Sequence, residues 1–99
     1  MKKILITRKL MKSSEEYASK IFDVKLNKED KLLTKDELIS KSSDCDGILS
    51  SITDKLDADT ILQLSEKVKI ISNFAVGFGN IDLNAVKKKI LLLQTLQMF

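Results

Sequence analysis

Short apolar runs rich in β-branched residues alternate along this chain with segments that carry helix-start signals, and the connections between them are short. Residues 4–7 (Ile-Leu-Ile-Thr) read as a buried strand. Residues 22–26 alternate Phe-Asp-Val-Lys-Leu, the pattern of a half-exposed strand. Gly47-Ile48-Leu49 opens a third strand, and residues 68–72 form a fourth. Between them, Ser13-Ser14-Glu15-Glu16 predicts an N-cap with acids in the first turn, backed by Tyr17, Ala18 and Ile21 at helical spacing. Thr34-Lys35-Asp36-Glu37 is a capping box, followed by Leu38 and Ile39. Asp57 is placed to cap a helix carrying Ala58, Ile61, Leu62 and Leu64, and Asp82 to cap another. Strand and helix in alternation imply an α/β fold with a mainly parallel sheet. Ligands in such sheets bind beyond the carboxyl ends of the strands, near the point where strand order reverses. The loops at those ends are residues 8–12, 50–54 and 73–80.

Ninety-nine residues make one small domain with a thin core. The formal net charge of +3 sits largely in Lys2, Lys3 and Lys87 to Lys89. These lysines are not interleaved with aromatics, so a solvated face accounts for them better than a nucleic-acid surface. No apolar stretch approaches the length of a membrane span, and residues 1–8 lack the apolar run of a signal peptide. A cytoplasmic protein is expected. There is no histidine, which removes the commonest zinc ligand and the commonest general base. The single cysteine, Cys45, lies between Asp44 and Asp46. Negative neighbours raise a thiol pKa, so Cys45 reads as a small residue beside a strand rather than a nucleophile.

The loop after the fourth strand reads Asn73-Phe74-Ala75-Val76-Gly77-Phe78-Gly79-Asn80-Ile81-Asp82. Gly77 permits close backbone approach to a ligand or a positive φ. Amides near it could cradle a small anion such as a carboxylate. An ordinary strand-to-helix turn explains the same residues. Gly77-Phe78-Gly79 is not a dinucleotide fingerprint, because the third glycine and the following acid are missing.

This loop resembles the substrate-side loop of the D-isomer-specific 2-hydroxyacid dehydrogenases, of glyoxylate and hydroxypyruvate reductase type. Further segments resemble that family in order: Lys3-Ile4-Leu5-Ile6-Thr7-Arg8-Lys9-Leu10, Leu33-Thr34-Lys35-Asp36-Glu37-Leu38, Asp46-Gly47-Ile48-Leu49, Thr53-Asp54-Lys55-Leu56-Asp57 and Val68-Lys69-Ile70-Ile71-Ser72. The resemblance covers nearly all of residues 1–89. It implies a partial flavodoxin-like parallel sheet, the amino-terminal part of a substrate-binding domain. It also implies that the Val76 and Gly77 amides hold a substrate carboxylate, with Ser51 and Ile52 lining the same cleft. The substrate implied is a small 2-oxo or 2-hydroxy acid, and the intact family uses NAD(P). Two departures stand out. Gly79 replaces the usual Asp or Asn, which loosens the loop, and Met11 replaces the usual Pro.

Hydride transfer in that family needs a Rossmann domain for the nicotinamide, a substrate-binding arginine, and a histidine paired with a carboxylate. This chain has no histidine and no GxGxxG, and its one arginine, Arg8, does not match the catalytic one. No catalytic residue, bound cofactor or metal is therefore expected in this chain. Residues 90–99 differ from the strand and the motif close to Asn-Ile-Thr-Val-Thr-Asn-Thr-Pro-Asn-Val that the family carries there. The two agree as DNA. One back-translation of Ile90-Leu91-Leu92-Leu93-Gln94-Thr95-Leu96-Gln97-Met98-Phe99, read one base earlier so that it takes in the last base of the Lys89 codon, spells the family motif. A run of A encoding Lys87-Lys88-Lys89 favours slippage. Residues 1–89 then form the substrate-domain segment, and residues 90–99 an out-of-frame tail. The tail is expected either to extend the helix after Asp82 or to imitate the lost strand through residues 90–93. Its apolar run predicts marginal stability and self-association.

The leading expectation is thus the remnant of an NAD(P)-dependent 2-hydroxyacid dehydrogenase, inactive alone. An alternative is a small α/β interaction module that self-associates or complements a separate nucleotide-binding chain. A response-regulator receiver fits poorly. It wants an acidic pair after strand one and an aspartate ending strand three, where this chain has Thr7-Arg8-Lys9 and Ser50-Ser51.

Overall fold

In the computed structural model, residues 1–51, 53–74, 80–89 and 92–96 are described, the last five and Phe74 and Lys89 by their backbone alone. The strands are β1 (Lys3–Ile6), β2 (Asp23–Lys25), β3 (Gly47–Ser51), β4 (Ile70–Phe74) and β5 (Leu92–Leu96). The helices are α1 (Lys12–Ile21), α2 (Lys35–Ser42), α3 (Ala58–Leu62) and α4 (Leu83–Lys89). All strand pairs are parallel, in the order β2-β1-β3-β4-β5. This is the flavodoxin-like order, in which the chain reverses direction across the sheet between β1 and β3. The expected α/β fold and its partial flavodoxin-like sheet are what the chain adopts.

Register explains where the core sits. Leu5, Ile48 and Ile71 are consecutive cross-strand partners, so they share one face. They are buried together with Leu38 of α2, Ile61 of α3, and Ala85 and Val86 of α4. Each of the Leu, Ile and Val side chains contributes about 1.5–3 kcal/mol of burial. Cys45 belongs to this cluster and is fully buried. Burial, more than its acidic neighbours, pushes its thiol pKa up. The neighbouring register row, Ile4, Gly47 and Ile70, points to the other face. There, Ile4, Phe22, Gly47, Leu49 and Ile70 line an open apolar groove of about 450 Å³. Parallel sheets are normally covered on both faces, and the helix beside β2, α1, buries none of its side chains.

Four sequence expectations are corrected. Met11, not Ser13, precedes α1, and no side chain caps it. Instead the Glu15 carboxylate reaches back to accept from the Leu10 N–H at 3.1 Å, which favours starting the helix at Lys12. Tyr17 is 68% exposed and Ile21 45%, so the helical spacing there marks no core face. The fourth strand lies two residues later than the apolar run suggests, because Asn73 is satisfied by side-chain partners inside the sheet. Ser50 and Ser51 likewise belong to β3 rather than to a loop, pairing with Asn73 and Phe74. The capping box is formed as expected: Glu37 N–H donates to Thr34 Oγ1 at 3.2 Å and Thr34 N–H to Glu37 Oε1 at 3.1 Å. The Glu37 carboxyl is held below its ordinary pKa by that amide. Asp57 caps α3 through the Thr60 N–H at 2.9 Å, and Asp82 accepts from the Ala85 N–H at 2.9 Å. Of the two conformations expected for the tail, residues 92–96 adopt the strand, paired to β4.

Candidate substrate-side site

The carboxyl ends of β1, β3 and β4 carry short polar side chains where the apolar runs stop. Thr7, Ser50, Asp54 and Asn73 are all buried there. A buried polar group without a partner is costly, so each should be hydrogen-bonded. Asp54 accepts from the Thr7 hydroxyl and from the Ser51 N–H at 2.9 Å. Thr7 O accepts from Asn27 Nδ2 at 2.7 Å, which brings in the loop after β2. The turn after β3 is thus folded back onto β1.

Arg8 sits at the strand-order reversal. Its Nε donates to Asp30 Oδ1 at 2.9 Å and its Nη1 to Thr53 Oγ1 at 2.8 Å. Asp30 has a φ of 52°, in the left-handed region that Asp tolerates better than most residues. There its carboxylate also accepts from the Lys9 N–H at 2.8 Å. The guanidinium holds the Asp30 carboxyl below the usual range, and Asp30 raises Arg8 in turn. Arg8 therefore ties three loops together and has its charge partnered within the chain.

The third loop is tied at its base. Asn73 ends the described part of its strand's buried row, and Asn80 begins the segment before α4. Asn73 Nδ2 donates to Asn80 Oδ1 at 2.8 Å, and the Ser50 hydroxyl donates to Asn73 Oδ1 at 3.0 Å. Asn80 Nδ2 reaches Ser51 O at 3.0 Å and Asp54 O at 2.9 Å. Leu56 N–H donates to Asn80 O, and Asp82 N–H to Leu56 O, both at 2.9 Å. The loop after β3 and the ends of the glycine loop are thereby one hydrogen-bonded unit.

Of the site residues read from sequence, Ser51 lies in this unit, half-buried at the end of β3. Ile52, Val76 and Gly77 lie outside the described residues. Sequence reasoning passed over Asn27, Asp54, Asn73 and Asn80 as site-forming residues. The available signal was an Asn or Asp directly following an apolar strand, where a short polar side chain can pair with backbone. Among the described residues, no three His, Cys, Asp or Glu side chains are grouped to hold a metal. No described helix is long and apolar enough to cross a membrane.

Residues 4–97 match the D-isomer specific 2-hydroxyacid dehydrogenase catalytic domain. The chain is 34% identical over 88 residues to a glycerate dehydrogenase of Hyphomicrobium methylovorum, covering 89% of this chain and 27% of that protein. It is 31% identical over 87 residues to a glyoxylate reductase of Thermococcus litoralis, covering 88% of this chain and 26% of that protein. The chain thus spans about a quarter of the length of these relatives. Among solved structures, it superposes on NAD+-bound 3-phosphoglycerate dehydrogenase of Entamoeba histolytica with a TM-score of 0.80 at 25% identity, over 95% of this chain and 32% of that one. D-lactate dehydrogenase of Escherichia coli shares the fold, with a TM-score of 0.76 at 22% identity over 97% of this chain and 31% of that one. The chain belongs to the D-isomer specific 2-hydroxyacid dehydrogenase family and carries sequence of its catalytic domain.

Proposed function

We propose that this chain is the carboxylate-holding front part of the substrate-binding domain of an NAD(P)-dependent 2-hydroxyacid dehydrogenase of the glyoxylate or hydroxypyruvate reductase type. The observation that carries the reading is the tie of Asn80 to the Ser51 and Asp54 carbonyls, which brings the glycine loop's base against the loop after β3 at the carboxyl edge of the sheet. In this reading the Val76 and Gly77 amides hold the carboxylate of a small 2-oxo or 2-hydroxy acid, and Ser51 and Ile52 line the cleft. Backbone amides suit that task because they are fixed donors needing no counter-charge. Titrating the chain with oxalate while following backbone amide resonances tests this. The expected result is a saturable shift at Val76 and Gly77, and no shift there refutes it.

The chain alone does not transfer hydride. A proton must move to or from the substrate oxygen as the hydride transfers, and the 99 residues contain no histidine to move it. Arg8, the one arginine, is committed to Asp30 and Thr53. The nicotinamide and the acid/base group belong to a complementary nucleotide-binding unit. We further read residues 90–99 as out of frame, with residues 1–89 as the true domain segment. An apolar stretch satisfies a parallel edge strand whichever frame wrote it, which agrees with β5 pairing to β4. The gene sequence tests this. Reading one base earlier past Lys89 should restore the family motif and a Rossmann domain.

A second reading, an interaction module, is favoured by the open apolar groove that Ile4, Leu49 and Ile70 line among the described residues. In that reading the chain self-associates or takes up a separate nucleotide-binding chain. Concentration-dependent sedimentation would support it, and a strict monomer would not.

A further inference from the structure

Right-handed crossovers divide the helices between the two faces of the sheet. The chain steps from β1 to β2 in one direction and from β2 through β3 and β4 to β5 in the other. That places α1 on one face and α2, α3 and α4 on the opposite one, where they cover Leu5, Ile48 and Ile71. On the α1 face, Ile4, Leu49 and Ile70 are only half-buried and line the groove of about 450 Å³. A helix about 10 Å across covers two strands spaced about 4.8 Å apart. α1 sits beside β2, so β3 and β4 are left in the floor of the groove. α1 is also apolar on its outward side. Met11, Tyr17 and Ile21 are exposed. At 3.6 residues a turn they share one arc of about 120°, and Lys12, Glu16 and Lys20 fall outside it. Phe22, the C-cap of α1, lines the groove, so the apolar stripe and the groove adjoin. Adjoining apolar surfaces of this kind mark interaction sites.

We propose that this face is the interface of a two-fold dimer, in which α1 of each copy fills the groove of the other. This rests on the reading that the chain self-associates and is independent of the carboxylate cradle. Take a two-fold axis that lies between two facing sheets and runs parallel to their strands. It carries α1 from above β1 and β2 of one copy to above β3 and β4 of the other. The exchange is reciprocal, so the contact closes at two copies. Lengths agree: the ten residues of α1 span about 15 Å, and the five-residue strands β3 and β4 about 16 Å. Levels agree too. Such an axis preserves position along the strands, and the groove lies beside Phe22, so Tyr17 and Ile21 of the second copy arrive at Ile4, Leu49 and Ile70. The end charges are complementary. Lys2 and Lys69 stand at the groove just before β1 and β4, where the carboxyl end of the incoming helix brings partial negative charge. A second copy also accounts for the outward stripe, because its sheet covers Met11, Tyr17 and Ile21. A lone helix from another chain, seated in the groove, brings no second sheet to cover that side.

The test is sedimentation of the wild-type chain, Ile21→Lys and Leu62→Lys over a range of concentrations. Ile21→Lys sets a charge against the apolar groove and its two lysines. Leu62 is a comparably exposed apolar residue on α3, on the opposite face, so Leu62→Lys reports the effect of added charge alone. The expected result is a wild-type monomer–dimer equilibrium, dimerisation weakened at least ~10-fold in Ile21→Lys, and wild-type dimerisation in Leu62→Lys. A second measurement mixes the Ile21→Cys chain with the Ile70→Cys chain under air oxidation. A disulfide needs Cα atoms within about 7 Å, and Cys45 is fully buried, so a covalent dimer reports the two new thiols meeting. That dimer should form, and a mixture of Ile21→Cys with Leu62→Cys should give none. If Ile21→Lys does not fold, the cross-link decides. Unweakened dimerisation in Ile21→Lys, equal weakening in Leu62→Lys, or no cross-link between positions 21 and 70 each overturns this interface while leaving self-association standing. A wild-type chain that stays monomeric at every concentration removes self-association and the interface with it.

Discussion

The Thr7 hydroxyl donates to the Asp54 carboxylate across 47 residues of sequence, joining the end of β1 to the turn after β3. Both residues are buried. The bond is what lets a carboxylate sit inside the carboxyl edge of the sheet. Thr7→Val keeps the shape and removes the donor, leaving the buried acceptor short of a partner. The expected cost is about 1–3 kcal/mol, read as a lower urea midpoint with an unchanged slope.

Gly47 sits where β3 passes beneath Ile70. A Cβ there would lie 2.8 Å from Ile70 Cγ2 and 3.4 Å from Ile70 O. The Ile70 methyl is attached at a branched Cβ and has little freedom to retreat. Gly47→Ala should therefore destabilise by about 1–3 kcal/mol, as overpacking does. The double variant Gly47→Ala with Ile70→Val retains that methyl and should not recover the loss, whereas Ile70→Ala should recover part of it. Equilibrium unfolding of the set checks this.

The capping box of α2 gives a third expectation. Thr34→Ala removes the acceptor for the Glu37 amide and should cost about 1 kcal/mol. The reciprocal variant Glu37→Ala should cost less, since Thr34 still caps. Thermal melting of both distinguishes them.

Acid should unfold the chain. Asp30 beside Arg8, Asp44 beside Lys25 and Lys3, Asp46 and Asp57 on backbone amides, and Glu37 in its capping box are all held below their ordinary pKa values. A carboxyl with a depressed folded pKa binds fewer protons folded than unfolded. Its stabilisation is complete above the unfolded value of about 4 and is lost as pH falls through the folded values. Melting temperature should be flat from neutral pH to about pH 5 and drop steadily below about pH 4. Stability that held constant down to about pH 2 would contradict this.

The sequence shows the first and third strands plainly because Ile4-Leu5-Ile6 and Ile48-Leu49 are short continuous apolar runs, as strands with a buried face supply. The caps at Thr34, Asp57 and Asp82 were equally legible from a side-chain oxygen set before a helical segment, a signal that fails at Ser13, which lies inside α1. The error at β4 has a physical source. Ladder bonds continue through Ser72 and Asn73 because tertiary partners, not hydropathy, satisfy the Asn73 side chain. The same holds for α1, where Tyr17 and Ile21 have helical spacing but no core element opposite. The site was legible only in part. Ser51 reads as a loop residue but ends β3, and Asn80 and Asp54 gain their meaning from contacts 26 residues apart in sequence.

The central proposal is that this chain alone moves no hydride. Oxidation of NADH and NADPH by the purified chain, with glyoxylate and with hydroxypyruvate, measures that claim. The expected result is a rate equal to the blank without protein for every pair. Substrate-dependent oxidation that grows in proportion to the amount of chain would contradict it.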